Sequence, residues 1–280
     1  MPLATTSELV QQAREQGRGV PAFNVITLEH AEGIVRGAEQ AGVAVILQIS
    51  ENAVKFHGGR LSPIAAASLA VARDAAVDVS VHLDHVEDVE LLHQAARDGL
   101  SSAMFDASVL DYADNVAATR SAADWAHGAG IFLEAELGKV GGKDGAHAPG
   151  VRTDPDEARA FVGDTGVDAL AVAVGSSHAM TDRTALLDVD LIHRLAAAVP
   201  VPLVLHGSSG VPDDQLRAAV RAGMVKINIG TILNVAFTSA VRARLRADDR
   251  VVDPRRYLGV ARDEVAAVAG RLATVVGGAR

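Results

Sequence analysis

At 280 residues, 49% hydrophobic and 3% aromatic, with a formal net charge of −9, the chain is sized for one large α/β domain and lacks the basic face of a general nucleic-acid binder. It contains no cysteine, which excludes a disulfide framework and a thiolate metal site, so any metal must sit on nitrogen and oxygen. Met1-Pro2-Leu3-Ala4-Thr5-Thr6 lacks the basic-then-apolar pattern of a signal peptide, and no apolar run reaches the length of a membrane span, so the expected location is the cytoplasm.

Short β-like apolar runs recur along the chain. In order they fall at 20–24 (VPAFN), 44–49 (AVILQI), 79–83 (VSVHL), 101–105 (SSAMF), 131–136 (IFLEAE), 169–174 (ALAVAV), 202–206 (PLVLH) and 225–229 (VKINI). Alanine-rich segments with apolar residues at helical spacing lie between them, among them 28–41, 64–76, 89–98, 116–129 and 215–222. Eight strands alternating with helices predict an α/β fold, a (β/α)8 TIM barrel, with a doubly wound open sheet as the competing reading. No interdomain linker interrupts the pattern, so residues 1–280 read as a single domain. After Leu233 the chain reads as terminal helices joined at the Asp253-Pro254 break, a C-terminal helical extension. The most glycine-rich stretch, 138–150, is one long loop after the fifth strand.

Polar residues able to do chemistry gather where the strands end. Asn24 closes the first, Ser50 follows the second, Asp84-His85 the third and Asp106 the fourth. Glu134 and Glu136 close the fifth, His178 follows the sixth, His206 closes the seventh and Asn228 lies near the end of the eighth. In a closed parallel barrel all these ends share the face that carries active sites. His85, His178 and His206 then form a three-nitrogen ligand set with an open position, as a catalytic zinc requires. His57, His82, His93, His127, His147 and His193 read mostly as surface or packing residues. Gly207-Ser208-Ser209-Gly210 and Asn228-Ile229-Gly230-Thr231 follow strands seven and eight, where small residues and a helix N-terminus suit a phosphate.

The segments PAFNV, ILQISENAVKF, VHLDH, SAMFDAS, LEAELGKVGG, LAVAVGSSH, PLVLHGSSG, KINIGT and DPRRYLGVAR, in that order, resemble the class II, metal-dependent ketose-bisphosphate aldolases over nearly the whole chain. The resemblance implies a lyase that reversibly cleaves fructose or tagatose 1,6-bisphosphate to dihydroxyacetone phosphate and glyceraldehyde 3-phosphate. By it, His85, His178 and His206 are zinc ligands and Glu136 approaches the metal in an alternative position. Asp84 exchanges the proton of the C4 oxygen, while Asn24, Ser50, Asp106 and Asn228 position substrate. Gly207, Ser209 and Thr231 cradle the phosphate of dihydroxyacetone phosphate, and Arg255 holds the far phosphate. A monovalent cation, Na+ or K+, is implied beside the cradle on carbonyls around Ser177, Ala179, Gly207 and Ser209. A homo-oligomer, dimer or tetramer, is expected, with a phosphorylated sugar as substrate and no nucleic-acid or membrane partner.

Three departures stand out. The family's loop runs from Gly-Gly into consecutive acidic residues that supply a second base, whereas this chain has Gly141-Gly142-Lys143-Asp144 and a shorter loop, making Asp144 the candidate. After His178 the run Ala179-Met180-Thr181-Asp182-Arg183 removes the family's lysine, and its charge is expected to move to Arg183. Asn228-Ile229-Gly230-Thr231 stands where fructose-bisphosphate enzymes have Asn-Ile-Asp-Thr. The rival readings are an imine-forming aldolase built on Lys226, a metal-dependent hydrolase on the same fold, and a non-catalytic sugar-phosphate binder.

Overall fold

A computed structural model of the chain describes residues 3–137, 152–177 and 181–278. The elements run α1 (Thr6–Glu15), β1 (Val20–Asn24), α2 (Leu28–Ala41), β2 (Val45–Ser50), α3 (Glu51–Phe56), α4 (Leu61–Asp74) and β3 (Val79–Val86). They continue through α5 (Val89–Arg97), β4 (Ser102–Phe105), α6 (Tyr112–Gly128), β5 (Phe132–Glu136), α7 (Pro155–Thr165) and β6 (Ala169–Ala171). Last come α8 (Val189–Ala198), β7 (Leu203–Leu205), α9 (Asp213–Ala222), β8 (Met224–Ile229), α10 (Thr231–Ala247) and α11 (Arg255–Gly277). All eight strands pair in parallel, and β1 bonds to β8 with Val20 opposite Lys226, which closes the barrel and rules out the open sheet.

Local chemistry sets the element ends. α7 starts on Asp154, whose carboxylate accepts from the amides of Asp156 and Glu157, with Pro155 in the first turn, and it stops at Gly166 in the left-handed region (φ 73°). The strands alternate with period two. Along β3, Val79, Val81 and Leu83 face the helical shell and join its core, while Ser80, His82 and Asp84 lie buried on the other face, inside the barrel. The base of the barrel is plugged by α1, whose Leu9, Val10 and Ala13 pack on Val20, Ala22, Ile46 and Val225. Full burial of a Leu or Val side chain stabilises by roughly 1.5–3 kcal/mol, so α1 is held by its apolar face. Its N-terminus carries a capping box of Thr5 and Glu8.

Outside the barrel α11 runs against α2, the C-terminal extension expected from the sequence, with Pro254 as its N-cap. Gly33 and Gly37 face its backbone, and a Cβ on Gly37 would stand 2.7 Å from the amide nitrogen of Gly270. Glycine is therefore a packing requirement in that seam. Among the described residues no helix is long and apolar enough to cross a membrane.

Candidate metal centre and active site

The strand β3 runs past its expected end at residue 83 and carries Asp84 and His85 within it. The register with β4 shifts between Leu83 and Val86, and His85 takes φ 50° there, alone among the described non-glycine residues in having positive φ. A bulky residue in the left-handed region is strained, and such strain gathers where a side chain must be aimed. Here it is aimed at His206. His85 Nε2 lies 3.1 Å from His206 Nδ1, with the rings edge to face at 4.7 Å between centroids.

The opposite ring nitrogens explain this orientation. His85 Nδ1–H donates to Asp106 Oδ2 at 2.9 Å, and His206 Nε2–H donates to Glu134 Oε1 at 3.0 Å. Both protons are assigned from their carboxylate partners. In those tautomers His85 Nε2 and His206 Nδ1 face each other at 3.1 Å, where a proton can join them and where both can turn to a shared metal ion; Asn228 Nδ2 also lies 3.0 Å from His206 Nε2. Two nitrogens on one tetrahedral zinc at about 2.0–2.1 Å would be separated by about 3.4 Å. A carboxylate behind each imidazole is also the usual support of a metal-bound histidine. The field agrees. Burial opposes charge on His85, but Asp84, Asp106 and Glu136 outweigh it and push the ring up to about 10. Asp84, His85 and His206 offer ligand atoms within 4.8 Å of one another, as do His85, Asp106 and Glu136. The donor set and its surplus of negative charge fit a divalent cation.

Beneath this pair the barrel interior is polar. Lys226 Nζ, fully buried, donates to Glu134 Oε2 at 2.8 Å, so Glu134 bridges Lys226 and His206. His82 Nδ1–H donates to Ser102 Oγ, which donates to Thr6 Oγ1, which donates to Ser80 Oγ, at 2.8, 2.6 and 2.9 Å. Burial and the neighbouring Lys226 charge hold His82 well below its ordinary value, so it is neutral. Gln48 Nε2 donates to Asp84 Oδ2 at 3.0 Å, and burial raises the Asp84 carboxyl against the pull of His85 and Lys226. Asp84 Oδ1, Gln48 Oε1 and Asn228 Oδ1 are buried with no hydrogen-bond partner among the described residues. Native interiors rarely leave such atoms unsatisfied, and three around one cavity mark a place where a ligand completes the bonding.

That cavity, about 450 Å3, is lined by Asn24, Ser50, Asp84, His85, Gly207, Ser209, Asn228 and Thr231 among others. Eight residues singled out in the sequence thus meet at one mouth. On the β7–β8 side, Ser208–Gly210 forms a single 3-10 turn, and Ser209 Oγ accepts from the amides of Gly230 and Ile232 at the start of α10. Gly207 has φ 66°, and a Cβ there would run into the backbone of Ser177, so this turn requires glycine. Ser50 caps α3 through Ala53 N at 3.2 Å.

Other expectations fall elsewhere. Asp106 stands behind His85 and lines an adjoining cavity instead of the main one. Glu136 is buried near His85 and Asp106. Arg255 is not brought to the mouth: its guanidinium pairs with Asp253 at 2.7 Å and its side chain is 89% exposed. Arg183 pairs with Asp213 at 2.6 Å and donates to the Val211 carbonyl, so its charge turns toward α9. His178 and Ala179, and the loop residues Lys139, Lys143, Asp144 and His147, lie outside the described residues. Gln48, Glu134 with Lys226 as its partner, and Phe56 on the mouth were not singled out for these places, although the period-two alternation within β2, β5 and β8 puts Gln48, Glu134 and Lys226 on the inner face.

One mouth of a closed parallel barrel thus brings together a facing pair of histidines, the buried carboxyl of Asp84 and the N-terminus of α10, the donor set of a metal-assisted active site. The family model for class-II fructose-bisphosphate aldolase matches residues 4–279. A fructose-bisphosphate aldolase of Thermus caldophilus is 37% identical over 94% of this chain and 94% of its own length. Among solved structures, the YdjI aldolase of Escherichia coli K12 is 32% identical with a TM-score of 0.83, covering 99% of this chain and 100% of that one. A putative fructose-1,6-bisphosphate aldolase of Coccidioides immitis is 26% identical with a TM-score of 0.85, covering 98% and 96%. The chain belongs to the class-II fructose-bisphosphate aldolase family.

Proposed function

We propose that this chain is a zinc-dependent aldolase, one domain over residues 1–280, that reversibly cleaves a ketose phosphate to dihydroxyacetone phosphate and an aldehyde. The reference substrates are fructose 1,6-bisphosphate, the sugar that the Coccidioides immitis protein's description carries, and its C4 epimer tagatose 1,6-bisphosphate. The observation that carries the reading is the facing pair His85 Nε2 and His206 Nδ1 at 3.1 Å beside a buried carboxyl, Asp84. His85, His206 and His178 would hold the metal, with Glu136 as an alternative ligand. Bound there, zinc supplies Lewis-acid stabilisation of negative charge developing on the substrate oxygens.

The chain's own groups do the rest. Asp84 takes the proton from the C4 hydroxyl as the C3–C4 bond breaks; Gln48 on its other oxygen fixes its orientation. A carboxyl raised by burial returns that proton readily in the condensation direction. Asp106 and Glu134 set the tautomers of His85 and His206. Gly207, Ser209 and Thr231 seat the C1 phosphate at the N-terminus of α10, with a monovalent cation beside them. Asn24, Ser50 and Asn228 orient the ketose, and Asp144 is the proposed base at C3. Arg255 would serve a second phosphate only by leaving Asp253. An imine route through Lys226 is disfavoured, because its ammonium is committed to Glu134 inside the barrel. We further propose a cytoplasmic homo-oligomer, dimer or tetramer.

Chelation should abolish cleavage, zinc or cobalt should restore it, and borohydride with substrate should trap no adduct on Lys226. Full activity in chelator, or a trapped lysine, overturns the reading.

A further inference from the structure

The cavity is chemically lopsided. Its β7–β8 wall has the features of a phosphate cradle, but another part of its wall is built from α3 and the loop after β1, with Ile26, Asn52, Ala53 and Phe56. Phe56 is 68% exposed there. Its ring stands edge-on to His57, 5.0 Å between centroids, and His57 Nε2 bonds the Ile26 carbonyl at 2.7 Å. The aromatic group is therefore moored on the wall. An exposed phenylalanine beside a polar cavity offers area to carbon atoms and nothing to a dianion.

Beyond Ser50, Asn52 and His85 the space continues into an adjoining cavity of about 380 Å3, whose charged walls include Glu51, Glu87, Asp106 and Lys55. Three carboxylates face the Lys55 ammonium and the His85 ring; His85 is already bonded to Asp106, and the ammonium lies 2.8 Å from Glu51 Oε1. Glu51 Oε2 accepts from the Glu87 amide at 2.8 Å, which fixes it in place. A phosphate entering here would meet net negative charge, whereas hydroxyl groups would find acceptors. Among the described residues, three basic groups that could offset it are paired elsewhere: Lys226 with Glu134, Arg183 with Asp213 and Arg255 with Asp253.

We propose that the tail side of this cavity accepts an uncharged, hydroxylated aldehyde fragment, so that the preferred substrate is a ketose 1-phosphate and not a 1,6-bisphosphate. This rests on the aldolase reading of the same site. The chemistry needs no second phosphate. The C3–C4 bond breaks with its electron pair left on C3; the C4 hydroxyl proton passes to Asp84 and C4 becomes the aldehyde carbon. C3 then takes a proton to give dihydroxyacetone phosphate. The tail supplies binding only, and its charge decides which aldehyde is held.

The test runs the zinc-loaded protein in the condensation direction. Dihydroxyacetone phosphate is offered glycolaldehyde, both enantiomers of glyceraldehyde, erythrose and both enantiomers of glyceraldehyde 3-phosphate. In parallel, exchange of the C3 proton of dihydroxyacetone phosphate with solvent is followed by NMR. The expected result is a kcat/KM for glyceraldehyde about tenfold or more above that for its 3-phosphate. Phe56→Arg, at an exposed position, should narrow or reverse that ratio by raising turnover of the phosphorylated aldehyde. Equal or better use of glyceraldehyde 3-phosphate by the wild type overturns the proposal alone, as does exchange without condensation of any neutral aldehyde. Loss of exchange itself would instead overturn the aldolase reading, and the proposal with it.

Discussion

The inside of the barrel and its outer shell bury side chains for opposite reasons. In the shell Val79, Val81, Leu83, Ile34 and Leu272 are 1% exposed or less, and each such burial is favourable by transfer alone. Inside, Gln48, His82, Asp84, Glu134 and Lys226 are equally hidden at 2% or less, and burying them is unfavourable unless each finds a partner. A sequence that needed only stability would fill the interior with Val and Ile, as at Ile46 and Val204 near the base. The polar filling runs from Ser80, which meets Thr6 of α1, up to Asp84 at the mouth. It teaches that substitutions of the interior polar groups should reach activity or metal binding, some of them with a loss of stability, while substitutions in the shell should move stability alone.

The largest separation is expected at Asp84. As the C4 proton acceptor, Asp84→Ala should lower kcat by roughly 10²–10⁴-fold, the usual range for a lost general base. Metal content by elemental analysis should persist, since the carboxyl is not among the proposed ligands. Stability should hardly fall, because burial already disfavours the Asp84 carboxylate. A variant that loses its metal would move Asp84 from proton transfer to coordination.

The interior ion pair is the counterpart in stability. Lys226→Met would leave Glu134 buried without its ammonium, and breaking such a pair costs about 3–5 kcal/mol. Glu134 also sets the tautomer of His206, so zinc affinity measured by competition should weaken about 10- to 100-fold in Glu134→Gln. The combined variant should recover part of the stability in urea unfolding. If Lys226→Met unfolds at the wild-type denaturant midpoint, the interior is less coupled than its 2.8 Å contact implies.

How much of this was legible follows from the same comparison. The eight strands and the gathering of Asn24, Ser50, Asp84, His85, His206 and Asn228 at one end follow from period-two runs that end in polar residues, a local signal. The pairing of Lys226 with Glu134 spans 92 positions, and no local pattern says which carboxylate a buried lysine meets. By local pattern alone Lys226 therefore reads as a possible nucleophile, and His82 as packing. The apolar run of β3 ends at Leu83, and the bulge that carries the strand on to Val86 with His85 at φ 50° has no compositional mark. Conversely β6 stops at Ala171 although Val172–Val174 stay buried, since hydropathy reports burial and not the end of a ladder. From the sequence Arg183 reads as carrying the lost lysine's charge; the partner that turns it toward α9, Asp213, lies at the start of that helix and is not marked by any local pattern.

In the shell, Gly37→Ala sharpens the contrast. The added Cβ would meet the Gly270 amide nitrogen at 2.7 Å and the Ala266 carbonyl in a helix pair with no flexible side chain to yield. Overpacking of this kind costs about 1–3 kcal/mol. The melting temperature should fall while kcat and zinc content at 25 °C stay at wild-type values. A loss of activity in the folded variant would show that the α2–α11 seam is coupled to the mouth.

The smallest effect is expected where charge lies in the shell itself. Asp213 accepts from Arg271 at 2.6 Å and pairs with Arg183 at 2.6 Å. Partial burial opposes the charge, but the hydrogen bonds from Arg271 and Arg183 win and hold its carboxyl below the ordinary value. A carboxyl lowered on folding adds stability above its unfolded pKa and loses that contribution as pH falls through the folded one. The advantage of the wild type over Asp213→Asn should therefore be full at neutral pH and fade below about pH 4. With the side chain 30% exposed, solvent screening keeps the effect to about 1 kcal/mol or less. High salt should shrink it further, whereas the ion pair of Lys226 and Glu134, shielded from solvent, should keep its contribution in the same salt. A gap between wild type and Asp213→Asn that survives unchanged both at pH 2 and in 1 M salt would show that Asp213 acts there through packing and not through charge.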